Sequence, residues 1–361
     1  MNICLIGNNL TSLIVSKILI NNGAKIDFLS LKDMKYRLSN RTIGISKSNI
    51  DFINKNICSL NNLNFEKINR IKIYSDKKKE ILDFQDNQFL FSMFESKSLY
   101  KLLINSLKKN KKFRLKFINK DFLEKRLNEK SKYDLIINCE KNNIFNKKYF
   151  NINLKKNYAN SAYTFLLHHN KVKNFIARQI FTNIGPLAFL PLTKTSTSVV
   201  FSYYGSDSLK ETYLKNLIGK YNFELNIKKF SNFEKANLKF FSARKYYDNN
   251  ILIFGDSLHQ IHPLAGQGFN MTLRDLKVLS SLIKRNISLG LPVDQFVLNE
   301  FEKSVKSKNT LFSFSIDAIH NFFKIKKYLK NDKLDNFIKL IGNNEIIQKR
   351  MIKIADKGFL S

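Results

Sequence analysis

The residues best able to do chemistry in this 361-residue chain lie in one run, Gly255-Asp256-Ser257-Leu258-His259-Gln260-Ile261-His262-Pro263-Leu264-Ala265-Gly266-Gln267-Gly268-Phe269-Asn270. The preceding Ile251-Leu252-Ile253-Phe254 reads as a buried strand. Asp256 therefore falls at the carboxyl edge of a sheet, where ligands of open α/β folds bind. A rigid Pro263 and the glycines Gly266 and Gly268 then lead into a helix start, and closely spaced backbone N–H groups in such a turn suit an electron-rich ligand atom. The chain has only 12 Gly and 4 Pro, so their crowding here marks required backbone geometry.

A second candidate is the turn Ile6-Gly7-Asn8-Asn9-Leu10-Thr11-Ser12, at the position of a G-x-G-x-x-G loop. Only Gly7 of the three glycines is present. Asn9, a residue type that tolerates left-handed backbone, stands at the second position and the small Ser12 at the third. The helix opening near Leu10 still offers N–H groups and a positive dipole end to phosphate. A carboxylate for a ribose hydroxyl is expected about 20 residues further on; Ser30, with a single hydroxyl, ends the second strand instead. Taken alone, this turn is equally a dinucleotide loop or a plain strand-to-helix turn.

The run from Gly255 to Asn270 resembles the second flavin-binding motif of the para-hydroxybenzoate-hydroxylase class of FAD monooxygenases, G-D-x-x-H-x-x-x-P-x-x-G-Q-G-x-N. The resemblance implies that Asp256, following Gly255, binds the ribitol chain of FAD and that Pro263 lies beside the reactive flavin edge. It also implies that Gly266, Gln267 and Gly268 present backbone to the pyrimidine end, with Phe269 and Asn270 completing the turn and His259 and His262 as scaffold. Gln179-Ile180-Phe181-Thr182-Asn183-Ile184-Gly185-Pro186-Leu187-Ala188-Phe189-Leu190-Pro191-Leu192 resembles a segment of the ubiquinone-biosynthesis aromatic hydroxylases. Arg41-Thr42-Ile43-Gly44-Ile45-Ser46 resembles a strand of the same family, which implies that Arg41 points at the flavin or its phosphates; a surface ion pair is the competing reading. Ala355-Asp356-Lys357-Gly358 resembles that family's C-terminal signature.

The family implies FAD-dependent hydroxylation of a polyprenylated phenol with NAD(P)H and O₂, in contact with a membrane surface or a biosynthetic complex. It implies an α/β fold: a Rossmann-like FAD-binding domain (1–70, 95–150 and 245–290), an interleaved antiparallel-sheet substrate domain (71–94 and 151–244) and a helical C-terminal region (291–361). One motif departs. The class ends a middle strand in Asp-Gly, and here Glu140-Lys141 replaces it, so that side-chain bulk stands where backbone should approach the cofactor. A non-catalytic flavin-binding or flavin-free relative acting as an assembly partner is the alternative this substitution leaves open.

The elements that must position these residues read clearly. A strand at Asn2–Ile6, a helix from Thr11 to Asn21, the helix-ending Gly23 and a strand at Lys25–Leu29 make a parallel βαβ unit. Ser96–Lys109 has helical spacing, and Tyr133–Cys139 is a further strand. Ala159–Leu167, Phe175–Phe181 and Thr197–Tyr204 read as an antiparallel sheet. A long helix begins near Gly268, and the chain after Pro292 is mostly helical and basic.

With 62 Lys+Arg against 29 Asp+Glu, the formal charge is +33. Such a field attracts nucleic acid, anionic lipid or acidic partners; a Lys-, Asn- and Ile-rich composition of A/T-biased coding explains it equally. The sequence carries no nucleic-acid recognition module, so no specific nucleic acid is expected. Cys4, Cys58 and Cys139 lack paired or metal-like spacing, which fits a reducing compartment. The sequence holds no apolar run of the ~18 residues a spanning helix needs. A cytoplasmic protein, peripheral at most on the inner membrane face, is expected. Phe312, Ile316, Ile319 and Phe323, near Lys324, Lys326, Lys327 and Lys330, read either as a membrane-facing helix stripe or as ordinary core packing.

Overall fold

A computed structural model describes residues 1–31, 41–119, 123, 132–223, 225–262, 266–329, 342 and 344–359. Its first unit is the expected one. β1 (Asn2–Ile6) and β2 (Lys25–Leu31) pair in parallel across α1 (Leu10–Asn21). Gly23 adopts φ 96°, which lets the Gly23 and Ala24 N–H groups turn back onto the Ile20 and Leu19 carbonyls and close the helix.

Next come β3 (Thr42–Ser46), α2 (Lys47–Asn56), β4 (Lys67–Ile68), β5 (Arg70–Ser75), β6 (Glu80–Gln85), β7 (Phe91–Glu95), α3 (Ser96–Lys108) and β8 (Phe113–Ile118). The middle of the chain forms β9 (Leu135–Asn138), α4 (Ile144–Tyr149), β10 (Asn153–His169), β11 (Ile176–Thr182), β12 (Gly185–Thr193) and β13 (Ser196–Tyr203). It continues with α5 (Glu211–Tyr221), β14 (Ile227–Phe230), β15 (Glu234–Ala243), β16 (Tyr247–Asp248), β17 (Ile251–Ile253) and β18 (His259–Gln260). Three helices finish it: α6 (Gln267–Ser288), α7 (Gln295–Leu329) and α8 (Glu345–Lys357).

Two large sheets divide the work. The first has the order β16-β17-β9-β1-β2-β8, parallel except at β16. Its central strands are apolar and buried on both faces, as a helix-covered parallel sheet requires. The second has the order β18-β15-β10-β13-β12-β11-β5-β6, with β14 added to β10, and is antiparallel except where β11 meets β5. Helix α5 covers it through Leu214, Leu217, Ile218 and Tyr221. A small sheet, β3-β7-β4, joins the two. Two strands cross the division expected from sequence: β7 pairs in the small sheet, and β18 pairs with β15 of the second.

Helix α7 settles part of the reading of its apolar stripe. Phe312 and Ile316 are buried in a cluster with Met271 of α6, so that half of the stripe is core packing. Ile319 is exposed, and the side chains of Phe323, Lys324, Lys326 and Lys327 and the residue Lys330 lie outside the described structure. Among the described residues no helix is long and apolar enough to cross a membrane.

Gly185 opens β12 at φ 137°, and a Cβ there would sit 1.8 Å from the Ser202 carbonyl oxygen on β13. Gly185→Ala is therefore expected to destabilise the protein by about 3 kcal/mol or more, read from the denaturant midpoint; a midpoint unchanged from wild type would refute the steric argument.

Candidate functional site

The cleft is built where the first sheet ends. Beyond β17, Gly255 takes φ 66°, and a Cβ on it would stand 2.7 Å from Thr11 Cγ2. Glycine thus lets the end of β17 press against the first turn of α1, and the two candidate motifs meet. Asp256 is exposed to solvent, yet desolvation raises its carboxyl above the ordinary carboxylate range, opposed by His259, Lys141, Gln260 and Arg41.

The first turn differs from its sequence reading in detail. Asn9 is in extended backbone (φ −135°) and serves as the helix cap: Ser12 N–H donates to Asn9 Oδ1 at 2.9 Å, and Asn9 N–H donates to Ser12 Oγ at 3.0 Å. Leu10 opens α1, and the buried Gly7 N–H donates to the Leu29 carbonyl at 3.0 Å. Glu140 Oε1 accepts from the Asn8 N–H at 3.0 Å, and Asn9 Nδ2 donates to the Cys139 carbonyl at 3.0 Å. The carboxylate that replaces the middle motif's Asp thus reaches into the anion-binding turn. Burial, reinforced by Asp256, raises the Glu140 carboxyl. Ser30, at the end of β2, is buried with its hydroxyl unpartnered.

Lys141, in place of glycine, lays its Nζ 3.9 Å from the Phe241 ring centroid and bonds Gln260 Oε1. Burial brings its ammonium down to about 8, with Lys155 and Lys239 adding to the effect against Asp256. It therefore bridges the end of β9 to β15 and β18.

The other wall is the start of α6. Gly266 caps it in left-handed backbone, and a Cβ on it would stand 3.8 Å from Gly44 N. Asn270 is 2% exposed and uses its full amide capacity. Its Nδ2 donates to the Gly44 and Gly266 carbonyls (2.9 and 3.2 Å), and its Oδ1 accepts from the Ser46 N–H and Asn49 Nδ2 (2.9 and 3.0 Å). Gln267 is buried with Oε1 unpartnered, while Gly268 and Phe269 are half-buried beside it. His259 bonds Asp275 at 2.8 Å, and Asn309 of α7 donates to both Asp275 oxygens at 3.0 Å, a scaffold triad that ties β18, α6 and α7 together. The C-terminal signature closes this wall: Asp356 accepts the Ser48 N–H at 2.9 Å at the start of α2, and Gly358 packs on Arg274. Arg41 is exposed, with Nε 3.5 Å from Glu234 Oε2, and is also near enough to Asp256 to act on its carboxyl. Pro263 lies outside the described residues.

Residues 206–288 match the FAD binding domain family. The same architecture recurs at full length in solved structures. p-Nitrophenol 4-monooxygenase of Pseudomonas putida superposes with a TM-score of 0.79 at 9% identity, over 99% of this chain and 98% of that one. HpxO of Klebsiella pneumoniae, solved with FAD and uric acid, gives 0.74 at 11% identity, over 100% and 98%. The fold is that of the FAD-dependent monooxygenases. Among curated proteins, the mitochondrial ubiquinone biosynthesis monooxygenase COQ6 of Dictyostelium discoideum is 34% identical over 109 residues, 30% of this chain and 22% of that protein. The ubiquinone hydroxylase UbiL of Rhodospirillum rubrum is 27% identical over 175 residues, 46% of this chain and 41% of that protein. The matches thus span less than half the length of these curated relatives.

Within this monooxygenase fold the structure brings Gly7, Asn9, Ser12, Gly255 and Asp256 together at the end of the first sheet, and places Gly266, Gln267, Gly268 and Asn270 in the opening turn of α6. Sequence reasoning missed the Glu140–Asn8 bond, the Thr11 contact under Gly255, and Asn49. Each pairs residues far apart in the chain, and only the odd Glu140-Lys141 dipeptide signalled any of them.

Asn270→Ala leaves the buried Gly44 carbonyl and Ser46 N–H without their side-chain partner and is expected to cost about 2–4 kcal/mol, measured by denaturant unfolding. Lys141 has the opposite signature. Its folded value is depressed to about 8 from 10.5, so between these the unfolded chain binds more protons and stability rises with pH. Lys277, also held at about 8, adds to the same rise. Lys141→Met should flatten the melting-temperature rise over that window relative to wild type; superimposable profiles would show that Lys141 titrates normally.

Proposed function

We propose that this chain is an FAD-dependent monooxygenase that hydroxylates the aromatic ring of a polyprenylated phenol in ubiquinone biosynthesis, with NAD(P)H as reductant. The observation that carries the reading is the meeting of Asp256 at a strand end with the Gly266–Asn270 helix start across one cleft. The names of the curated relatives support the substrate class.

The cleft suits the cofactor on the chain's own evidence. The unpartnered Ser30 hydroxyl and Gln267 oxygen mark its two ends, and Gly255 and Gly266 hold backbone that a side chain would strain. Ser30 and the Gly7–Ser12 turn would hold the adenosine half, Asp256 the ribitol chain, and Gly266–Gly268 the pyrimidine end. FAD supplies the two-electron and oxygen chemistry when bound. The protein's part is to bind, orient and keep water from the reacting ring. A cytoplasmic location with peripheral membrane contact, or membership of a biosynthetic complex, would bring it to a lipid substrate.

Glu140 on the Asn8 N–H and Lys141 in the glycine position favour the second reading, a relative that assists assembly without turnover. The absorbance spectrum separates the two. The first reading expects yellow protein bleached by NADPH, with NADPH oxidation rising on addition of a phenol; colourless protein after refolding with FAD would sink it. Asp256→Ala removes a charge-assisted hydrogen bond and should weaken FAD retention roughly tenfold or more; unaltered retention would move the ribitol site elsewhere.

A further inference from the structure

A second polar cluster lies between β10, α7 and the segment after β18, separate from the cofactor cleft residues. His262 is 1% exposed, and neither ring nitrogen has a hydrogen-bond partner. A buried group left in that state needs a structural explanation. Its ring stacks on His320 of α7, centroids 4.0 Å apart and 28° between planes. Tyr158 of β10 stands edge-on to both, at 5.5 and 5.4 Å, and Tyr204 packs on His320 at 5.7 Å. The Asn160 amide fixes the His320 tautomer. With its nitrogen donating to the Tyr158 and Ala159 carbonyls, its oxygen faces His320 Nε2 at 3.3 Å, which must therefore carry the proton.

The strand beneath is distorted at the same place. The β10–β15 register breaks between Asn157 and Ser161, and Ala159 sits at φ 53°. A bulge there re-aims Tyr158 and Asn160, and a non-glycine residue in left-handed backbone stores strain of the kind found at ligand sites.

We propose that His262 and His320 form the polar end of a site for a hydroxyl-bearing aromatic ring, with His262 exchanging a hydrogen bond with the ring hydroxyl. This rests on the reading of the chain as an aromatic hydroxylase and places its substrate's head group. A neutral imidazole offers one donor and one acceptor, so it can give a hydrogen bond to a hydroxyl or take one from it. Burial and the adjacent His320 keep His262 neutral, its ring held down at about 3, while Asp317, itself paired with Lys156 at 3.0 Å, pulls weakly the other way. Among the described residues Lys156, beside Tyr158, is already paired with Asp317, whose charge would repel a carboxylate head group. Tyr158 and Tyr204 supply aromatic walls.

The test uses the purified protein with its flavin, 4-propylphenol, and the methyl ether of that phenol, which cannot donate. The chain has 5 histidines, so imidazole ¹⁵N signals are resolvable. The phenol should shift the His262 nitrogens further than the ether, which can only accept, with the phenol binding roughly tenfold tighter. His262→Leu should bring the two affinities together. Phenol binding that leaves His262 silent, or equal affinity for both probes in wild type, overturns the site and leaves its nitrogens to water. Because the shifts are read in wild type, a variant that fails to fold does not remove the test. Hydroxylation with a silent His262 refutes this inference alone. A responding His262 without phenol-stimulated NADPH oxidation refutes the proposed activity alone.

Discussion

The cleft depends on one buried side-chain amide. Asn270 satisfies every donor and acceptor it has, and its partners come from β3, the start of α2 and the cap of α6. The first two lie more than two hundred residues of chain from α6. A buried amide cannot give up one of these bonds without stranding a polar group, at about 1–3 kcal/mol each. The left-handed Gly266 and the turn it opens are therefore held in place whether or not anything is bound. Asp356, on Ser48 at the N-terminus of α2, braces the same corner from the end of the chain.

Facing that fixed corner is a wall where charge has been rearranged. Glu140, Asp256 and Lys141 occupy the ends of β9 and β17, which pair directly. Burial raises both carboxyls and lowers the ammonium. These are the directions expected when each group loses water and finds incomplete compensation. In a glycine-lined cleft the backbone would meet a ligand directly. Here Glu140 already holds a backbone N–H of the phosphate-type turn, so an anion arriving there competes with an internal carboxylate.

Sequence reading reached the framework because the framework is local. The βαβ unit, its closing Gly23 and the long α6 each follow from spacing within one element. The run from Gly255 to Asn270 was legible because it keeps the residue types its backbone geometry demands while the rest of the chain drifts toward Lys, Asn and Ile. What was not legible lies between elements. Asn9 was expected to substitute for a glycine in left-handed backbone, yet it solves the problem differently, as a cap in extended backbone with Ser12 as its partner. The stripe on α7 was ambiguous because Phe312 and Ile316 show the same periodicity whether they meet lipid or Met271. No spacing rule reveals that Glu140 will find Asn8, since they are neighbours only after β1 and β9 pair.

The unpartnered buried atoms bear on function only together with their place in the fold. Ser30, Gln267 and His262 each hide a polar atom that the chain does not satisfy, and so do Asn69, Ser92 and Ser161 elsewhere in the fold. Unpartnered polarity by itself therefore marks no ligand site. Ser30 and Gln267 gain weight from position, one at the end of β2 and one in the first turn of α6, the strand ends and helix starts where an open α/β sheet leaves room for a ligand. His262 gains weight from its company instead: it stacks on His320 beside a distorted stretch of β10. A fold under selection for packing alone would replace such groups with apolar ones of similar volume, at little cost and often with a gain.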